Sequence, residues 1–190
     1  MSIEGTLISE RILNPRDLFL KIRDIPFALG SDDKPEDIVK DNFGGCTRKH
    51  LYLAPRLKMM GFEVEIGIAQ FDWRKFSIPG QILTLLKEPI QYHMFLWLRK
   101  NDNRFVIDAT WDKAMTRLGF PLTEWDEQNQ SIVGVNPIKM YRQNLTLLQF
   151  RSVVSGSLHK INSMVQGQRK TPFNEAFNNW INLQRLVLQE

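Results

Sequence analysis

Gly44-Gly45-Cys46-Thr47-Arg48-Lys49-His50 holds the only cysteine of the 190-residue chain. A glycine pair leads into the thiol, and an apolar pattern at helical spacing runs on from it through His50, Leu53, Leu57 and Met60. The pattern predicts a helix whose first turn carries Cys46. Unpaired backbone N–H groups and the positive end of the helix dipole favour a thiolate there. Pro55 stands against a regular helix, because it removes the hydrogen bond to residue 51 and should kink or break it. Gly61 supplies a C-terminal stop.

Working outward, Phe62 to Trp73 alternates, with Phe62, Val64, Ile66 and Ile68 on one face and Glu63 and Glu65 on the other. This predicts a half-buried strand. Residues 74–89 form a connector whose apolar run, Ile82-Leu83-Thr84-Leu85-Leu86, is expected near the mouth of the site, as a lid or pocket wall, or packed on the core. Strand-like runs at about 90–98 and 103–111, separated by Arg99-Lys100-Asn101-Asp102, predict a hairpin. A loop made of those residues pairs Leu98 with Asn103 and sets His93 directly opposite Asp108. Opposed Cβ atoms lie roughly 4.5–5.5 Å apart, within reach of an imidazole–carboxylate hydrogen bond. A register shifted by two places makes the pair diagonal, at about 7–8 Å, but leaves it on one face; only an odd-numbered loop would separate the two.

Upstream, Asn14-Pro15 reads as an N-cap and first-turn proline, opening a helix through Leu18, Phe19, Ile22 and Ile25 that stops near Pro26. Residues 1–13 read as a strand or a loose arm, Ser31 to Pro35 as a polar linker, and Pro35 to Lys40 as a short helix. Downstream, Gly119 to Pro137 reads as loop, and Met140 to about Val165 as a long helix broken by Gly156. The final helix has Thr171 as N-cap, Pro172 at its first position, and Phe173, Phe177, Trp180, Ile181, Leu183 and Leu186 as its apolar residues. Helices, then strands, then helices predict an α+β fold in a single domain, 1–190, with its core at about 42–112 and a helical C-terminal extension at about 138–190.

The net charge of +4 is spread along the chain apart from Arg48-Lys49-His50 and Gln168-Arg169-Lys170, which read as solvated faces, so specific nucleic-acid binding is not indicated. No stretch approaches the ~20 apolar residues of a membrane span, and the first residues lack the pattern of a signal peptide. One cysteine and three histidines show no zinc spacing. The expectation is a cytoplasmic protein with no metal, no cofactor and no membrane partner.

A thiol, an imidazole and a carboxylate suit nucleophilic catalysis. The imidazole takes the thiol proton and later protonates a leaving amine, and the carboxylate fixes its tautomer. Gly44-Gly45-Cys46 before a helix, His93 among apolar and aromatic residues, and Asp108-Ala109-Thr110-Trp111 together resemble the core motifs of the transglutaminase-like superfamily. Phe62-Glu63-Val64-Glu65-Ile66-Gly67 is similar to the strand that follows the cysteine helix in that family. The resemblance covers about 42–112. It implies a papain- and transglutaminase-like core, with a cysteine-bearing helix packed on an antiparallel sheet. It also implies Cys46 as nucleophile, His93 as base and Asp108 as orienting carboxylate. The implied chemistry is acyl transfer, or amide or peptide hydrolysis, on a peptide, amide or amine substrate. The sequence departs from the family at Thr47, where transglutaminases often carry an aromatic residue, and it lacks calcium-site carboxylate clusters. Asn42 and the Cys46 backbone N–H are the candidate oxyanion donors.

Two other functional classes compete with this reading. One is a catalytically silent transglutaminase-like domain used as a binding module; the other is an enzyme resembling arylamine N-acetyltransferases, for which no coenzyme A signature is visible. His50 is a rival base, because helical side chains lean towards the N-terminus and its ring can approach the thiol. It lacks an evident carboxylate, so packing is the expectation. His159 has no catalytic neighbours in sequence, and the five tryptophans read as core or pocket wall.

Overall fold

The structure is a computed structural model that describes residues 14–30, 34–130, 134–143 and 171–187. The expectations for residues 1–13, for 144–165 and for His159 lie outside them. Helix α1 (Pro15–Arg23) starts as its sequence dictates: the Asn14 side chain accepts from the Asp17 N–H at 2.9 Å, and Pro15 occupies the first turn. A short 3-10 turn (Pro35–Asp37) runs into α2 (Ile38–Asp41). Helix α3 spans Cys46–Met59 with Pro55 inside it, so the proline does not end the helix. Gly61, at φ 88°, then turns the chain into the sheet.

Strands β1 (Glu63–Asp72), β2 (Ile90–Lys100), β3 (Asn103–Ile107) and β4 (Lys139–Gln143) form an antiparallel sheet in the order β3-β2-β1-β4. With the helices, this makes the described chain mixed α+β. Strand β4 corrects the expected helix from Met140 and the helical extension from 138. The segment alternates over only a few residues, and what makes it a strand is the free edge of β1, on which it pairs Ile66 with Gln143 through Gln70 with Lys139.

β1 is half-buried only at its start; from Ile66 it is covered on both faces. On one face Val64, Ile66, Ile68, Met94, Leu96 and Phe105 pack against Leu18, Phe19 and Ile22 of α1 and Leu53 and Leu57 of α3. On the other face Phe71, Trp73, Phe95 and Val106 meet Phe173, Phe177 and Ile181 of α5 (Pro172–Val187). Thr171 caps α5 as expected, its Oγ1 accepting from the Asn174 N–H at 3.1 Å, but Leu183 and Leu186 are exposed. The 74–89 connector contains α4 (Gly80–Leu83) and packs onto this second face, with Ile82 buried and Leu83 and Leu86 against the same cluster. Of the two expectations for the connector, packing on the core is the one observed. A 3-10 helix (Lys113–Leu118) follows the hairpin, capped by Asp112, and was not anticipated.

Candidate active site

Cys46 opens α3, with Gly45 extended at the N-cap (φ −80°, ψ 178°). Gly44 is fixed ahead of it: its N–H donates to Pro26 O at 3.0 Å and its carbonyl accepts from Ala28 N at 3.4 Å. A Cβ on Gly44 would lie 2.9 Å from Ile38 Cδ1 of α2, which is why a residue without a side chain leads into the helix. The cysteine is half-buried, at the edge of the aliphatic cluster.

The hairpin differs from its expected register. The connection is a two-residue turn, Asn101-Asp102, with Asn101 at φ 55°, so Lys100 pairs with Asn103 and Leu96 with Ile107. The ladder is displaced by two places, and His93 is diagonal to Asp108 rather than opposite it. The contact forms all the same: His93 Nε2 lies 2.6 Å from Asp108 Oδ2. Thr110 lies where the ladder, if continued, would oppose His93, and its Oγ1 is 3.4 Å from Nε2.

β3 ends at Ile107, so β2 runs on through His93 and Met94 without β3 beside it. The first turn of α3 meets β2 here and sets the Cys46 thiol, whose Sγ lies 3.9 Å from Thr47 Oγ1, beside the His93 imidazole and the Met94 backbone. Because Nε2 of His93 is taken by Asp108, Nδ1 is the nitrogen left for sulfur. Burial pushes the Cys46 thiol up; the His93 hydrogen bond and positive charge and the Met94 N–H outweigh it, and the pKa is lowered. Burial likewise pulls His93 down, but the charge and hydrogen bond of Asp108, with those of Cys46, raise it well above the ordinary imidazole range. Both directions favour a thiolate beside an imidazolium.

Asp108 is buried and accepts from several donors. Oδ1 takes the Thr110 N–H at 3.0 Å and the Thr110 hydroxyl at 2.5 Å, and Oδ2 takes His93 and the Gly134 N–H. Burial raises its pKa, but His93 and these hydrogen bonds hold it below the usual carboxylate range. The Gly134 carbonyl also accepts from Trp111 Nε1, so the loop crosses directly over the carboxylate. A Cβ on Gly134 would lie 3.0 Å from both Asp108 Oδ2 and Trp111 Cδ1.

The structure therefore brings Cys46, His93 and Asp108 together. His50 is buried in the same cluster, its ring edge-on to His93 with centroids 6.3 Å apart. It does not contact the thiol through a ring nitrogen: Nδ1 lies 2.7 Å from Cys46 O and Nε2 accepts from the Ala109 N–H at 2.9 Å. Next to it, buried Lys49 donates to Arg23 O at 2.7 Å and Thr110 O at 3.0 Å. The run Arg48-Lys49-His50, expected as a solvated basic face, is buried instead, and neither the task of Lys49 nor that of Gly134 is foreseen from the sequence. Neither has a local signature, because each acts through a backbone group distant in sequence. Asn42 caps α2 at φ 55°, and the Cys46 N–H lies in the first helical turn, where no intrahelical carbonyl can receive it. Among the described residues no three His, Cys, Asp or Glu side chains group as a metal site, and no helix is long and apolar enough to cross a membrane.

These residues define a cysteine–histidine–aspartate constellation built on an α+β scaffold. No family model, curated protein or solved structure matches the chain.

Proposed function

We propose that the protein is a cysteine-dependent acyl-transfer or amide-hydrolysing enzyme of transglutaminase-like type. The observation that carries the reading is the His93–Asp108 hydrogen bond, 2.6 Å long, held beside the Cys46 thiol at a helix N-terminus. Order along the chain alone would allow three unrelated residues; their convergence at one edge of β2 supports a common task.

In this reading the thiolate attacks the carbonyl carbon of an amide, and a C–S bond forms as the carbonyl π pair moves to oxygen. First-turn N–H groups of α3, that of Cys46 foremost, are suited to hold the resulting oxyanion. His93 gives its Nδ1 proton to the leaving amine as the C–N bond breaks, which leaves a thioester on Cys46. Water or a second amine then attacks the thioester, His93 takes its proton, and the thiolate returns. Asp108 keeps Nε2–H of His93 in place throughout and stabilises the imidazolium. The resemblance of Gly44-Gly45-Cys46 and Asp108-Ala109-Thr110 to transglutaminase-like motifs supports the same chemistry, with a peptide, amide or amine as substrate.

The test is alkylation of Cys46 by iodoacetamide against pH, followed by mass spectrometry with an amide-mimicking thiol probe. A thiolate paired with His93 labels well below the ~8.5 of a free cysteine and accumulates a covalent adduct at Cys46. Labelling along an ordinary thiol titration, without adduct, would replace the enzyme with the silent binding module.

A further inference from the structure

His50 stands four residues after the nucleophile, fully buried, and the steps above do not use it. Its two hydrogen bonds define its state. Cys46 O is a carbonyl and only accepts, so Nδ1, 2.7 Å away, carries the hydrogen. The Ala109 N–H only donates, so Nε2, 2.9 Å away, offers a lone pair. One neutral tautomer satisfies both partners; the other tautomer and the imidazolium each set two donors or two acceptors face to face. The ring thus joins the peptide of the nucleophile to the peptide that follows Asp108.

We propose that His50 is a positioning residue: a neutral Nδ1–H imidazole that fixes the Asp108–Ala109 peptide against the cysteine helix and reserves the Asp108 charge for His93. The inference deepens the acyl-transfer reading and rests on it for its consequence, though not for its geometry. Three observations converge. The Ala109 N–H belongs to the residue directly after the carboxylate, so holding it fixes the backbone from which Asp108 projects. Lys49, the adjacent residue, holds the next carbonyl, Thr110 O, at 3.0 Å, so α3 grips residues 109 and 110 with consecutive side chains. Finally, His50 Nε2 lies only 3.6 Å from Asp108 Oδ1.

That last distance gives neutrality its purpose. An Nε2–H on a cationic His50 would repel the Ala109 N–H and find Asp108 Oδ1 beside it. The carboxylate would then be shared between two imidazoliums, and the pull that keeps His93 protonated opposite the thiolate would weaken. The titratable groups facing the ring are Asp108 and His93 from the strand side, and Lys49 and Cys46 from its own helix. Burial holds the His50 pKa down at about 4, against the Asp108 charge that raises it, so the neutral form is kept through the neutral range.

The experiment uses the full chain, with the pH midpoint of Cys46 alkylation as readout. His50→Gln can place an amide oxygen at the Nε2 position to accept from Ala109, whereas His50→Leu leaves that N–H unpaired. His50→Leu is expected to raise the midpoint by about one pH unit, a tenfold loss of thiolate at a given pH, and His50→Gln to restore most of the shift. Equal, wild-type midpoints in both folded variants would reduce His50 to packing and overturn the proposal. If either variant fails to fold, 15N-histidine NMR of the wild type decides: a neutral Nδ1–H ring at His50, beside a cationic His93 at neutral pH, supports the proposal. An Nε2–H tautomer or a cationic His50 there refutes it. A wild-type thiol that titrates as an ordinary cysteine would defeat the acyl-transfer reading alone, and the NMR tautomer would still report on His50.

Discussion

On one face of the sheet, aliphatic side chains of α1 and α3 lie against Val64, Ile66 and Leu96, and buried Arg23, Lys49 and His50 run polar bonds through the layer. On the other face rings dominate: Phe71, Trp73, Phe95, Trp111, Phe120, Phe173 and Phe177 pack into one cluster. The thiol arrives from the first face. The carboxylate is backed from the second, through Trp111 and Gly134, and His93 stands at the seam where β3 has ended. Apolar burial is non-directional, whereas hydrogen bonds fix orientation. The difference therefore lies in orientation: apolar burial on both faces holds the fold, and the polar bonds through the aliphatic face align the site.

The largest effect expected of that division is at the seam. Asp108→Ala and His93→Ala should each lower acyl-enzyme formation on the order of 10⁴-fold, by analogy with triads in which one member is removed. The double variant should lose little more than either single, because the residues act as a unit. Rapid quench with the thiol probe measures it, and fully additive losses would show that the two side chains do not work together. Next in size is Phe177→Ala, in the middle of the ring cluster. It should cost about 3–5 kcal/mol in urea unfolding while the alkylation midpoint of the folded protein stays put. A midpoint that moved with stability would erase the distinction between the faces.

Much of this arrangement was legible in the sequence, for local reasons. Cys46 announces itself through Gly44-Gly45 and the helical spacing after it, and the caps of α1 and α5 rest on Asn14-Pro15 and Thr171-Pro172, where one residue decides the geometry. The pairing of His93 with Asp108 was reachable because alternation puts both on one face for every loop of even length. The register was not, since Asn101 taking a left-handed conformation shortens the turn and displaces the ladder by two places. Strand β4 was illegible because its structure is supplied by the open edge of β1. His50 could be seen leaning towards Cys46, but its second bond goes to a peptide 59 residues away. No pattern within the chain encodes such a bond.

Gly134 sharpens the comparison at the point where the aromatic side touches the site. A methyl there would press on Asp108 Oδ2 and Trp111 Cδ1, both at 3.0 Å, and neither neighbour is free to swing away. Gly134→Ala should cost about 1–3 kcal/mol as an overpacking change and also raise the alkylation midpoint of Cys46, because the displaced carboxylate holds His93 less well. Phe177→Ala changes stability alone, so the pair of variants tells bracing from bulk packing. A stability loss with an unmoved midpoint would mean that the Gly134 loop does not align Asp108.

The smallest effect concerns Lys49, where two contributions oppose. Burial brings its pKa down to about 7, even though the Asp112 charge pulls the other way. The unfolded chain, with lysine near its model value of 10.5, binds a proton that the folded chain releases between those two values. Stability from this group therefore rises with pH from about 7 to 10.5, and the cost of burying the ammonium is present in full below about 7. His93 acts in the opposite sense: its folded pKa is raised, so its contribution is complete below the ordinary histidine range and fades at alkaline pH. Replacing Lys49 by Met removes the buried charge but leaves Arg23 O and Thr110 O without its two hydrogen bonds. Each such bond is worth about 1 kcal/mol net, and their loss opposes the relief of the buried charge at neutral pH. What should change is the slope. Urea midpoints of Lys49→Met between pH 7 and 10 should fall more steeply, or rise less, than those of the wild type, because the His93 loss is no longer offset. Parallel profiles would show that Lys49 stays charged in the fold, and that the aliphatic face tolerates an ammonium held by two carbonyls.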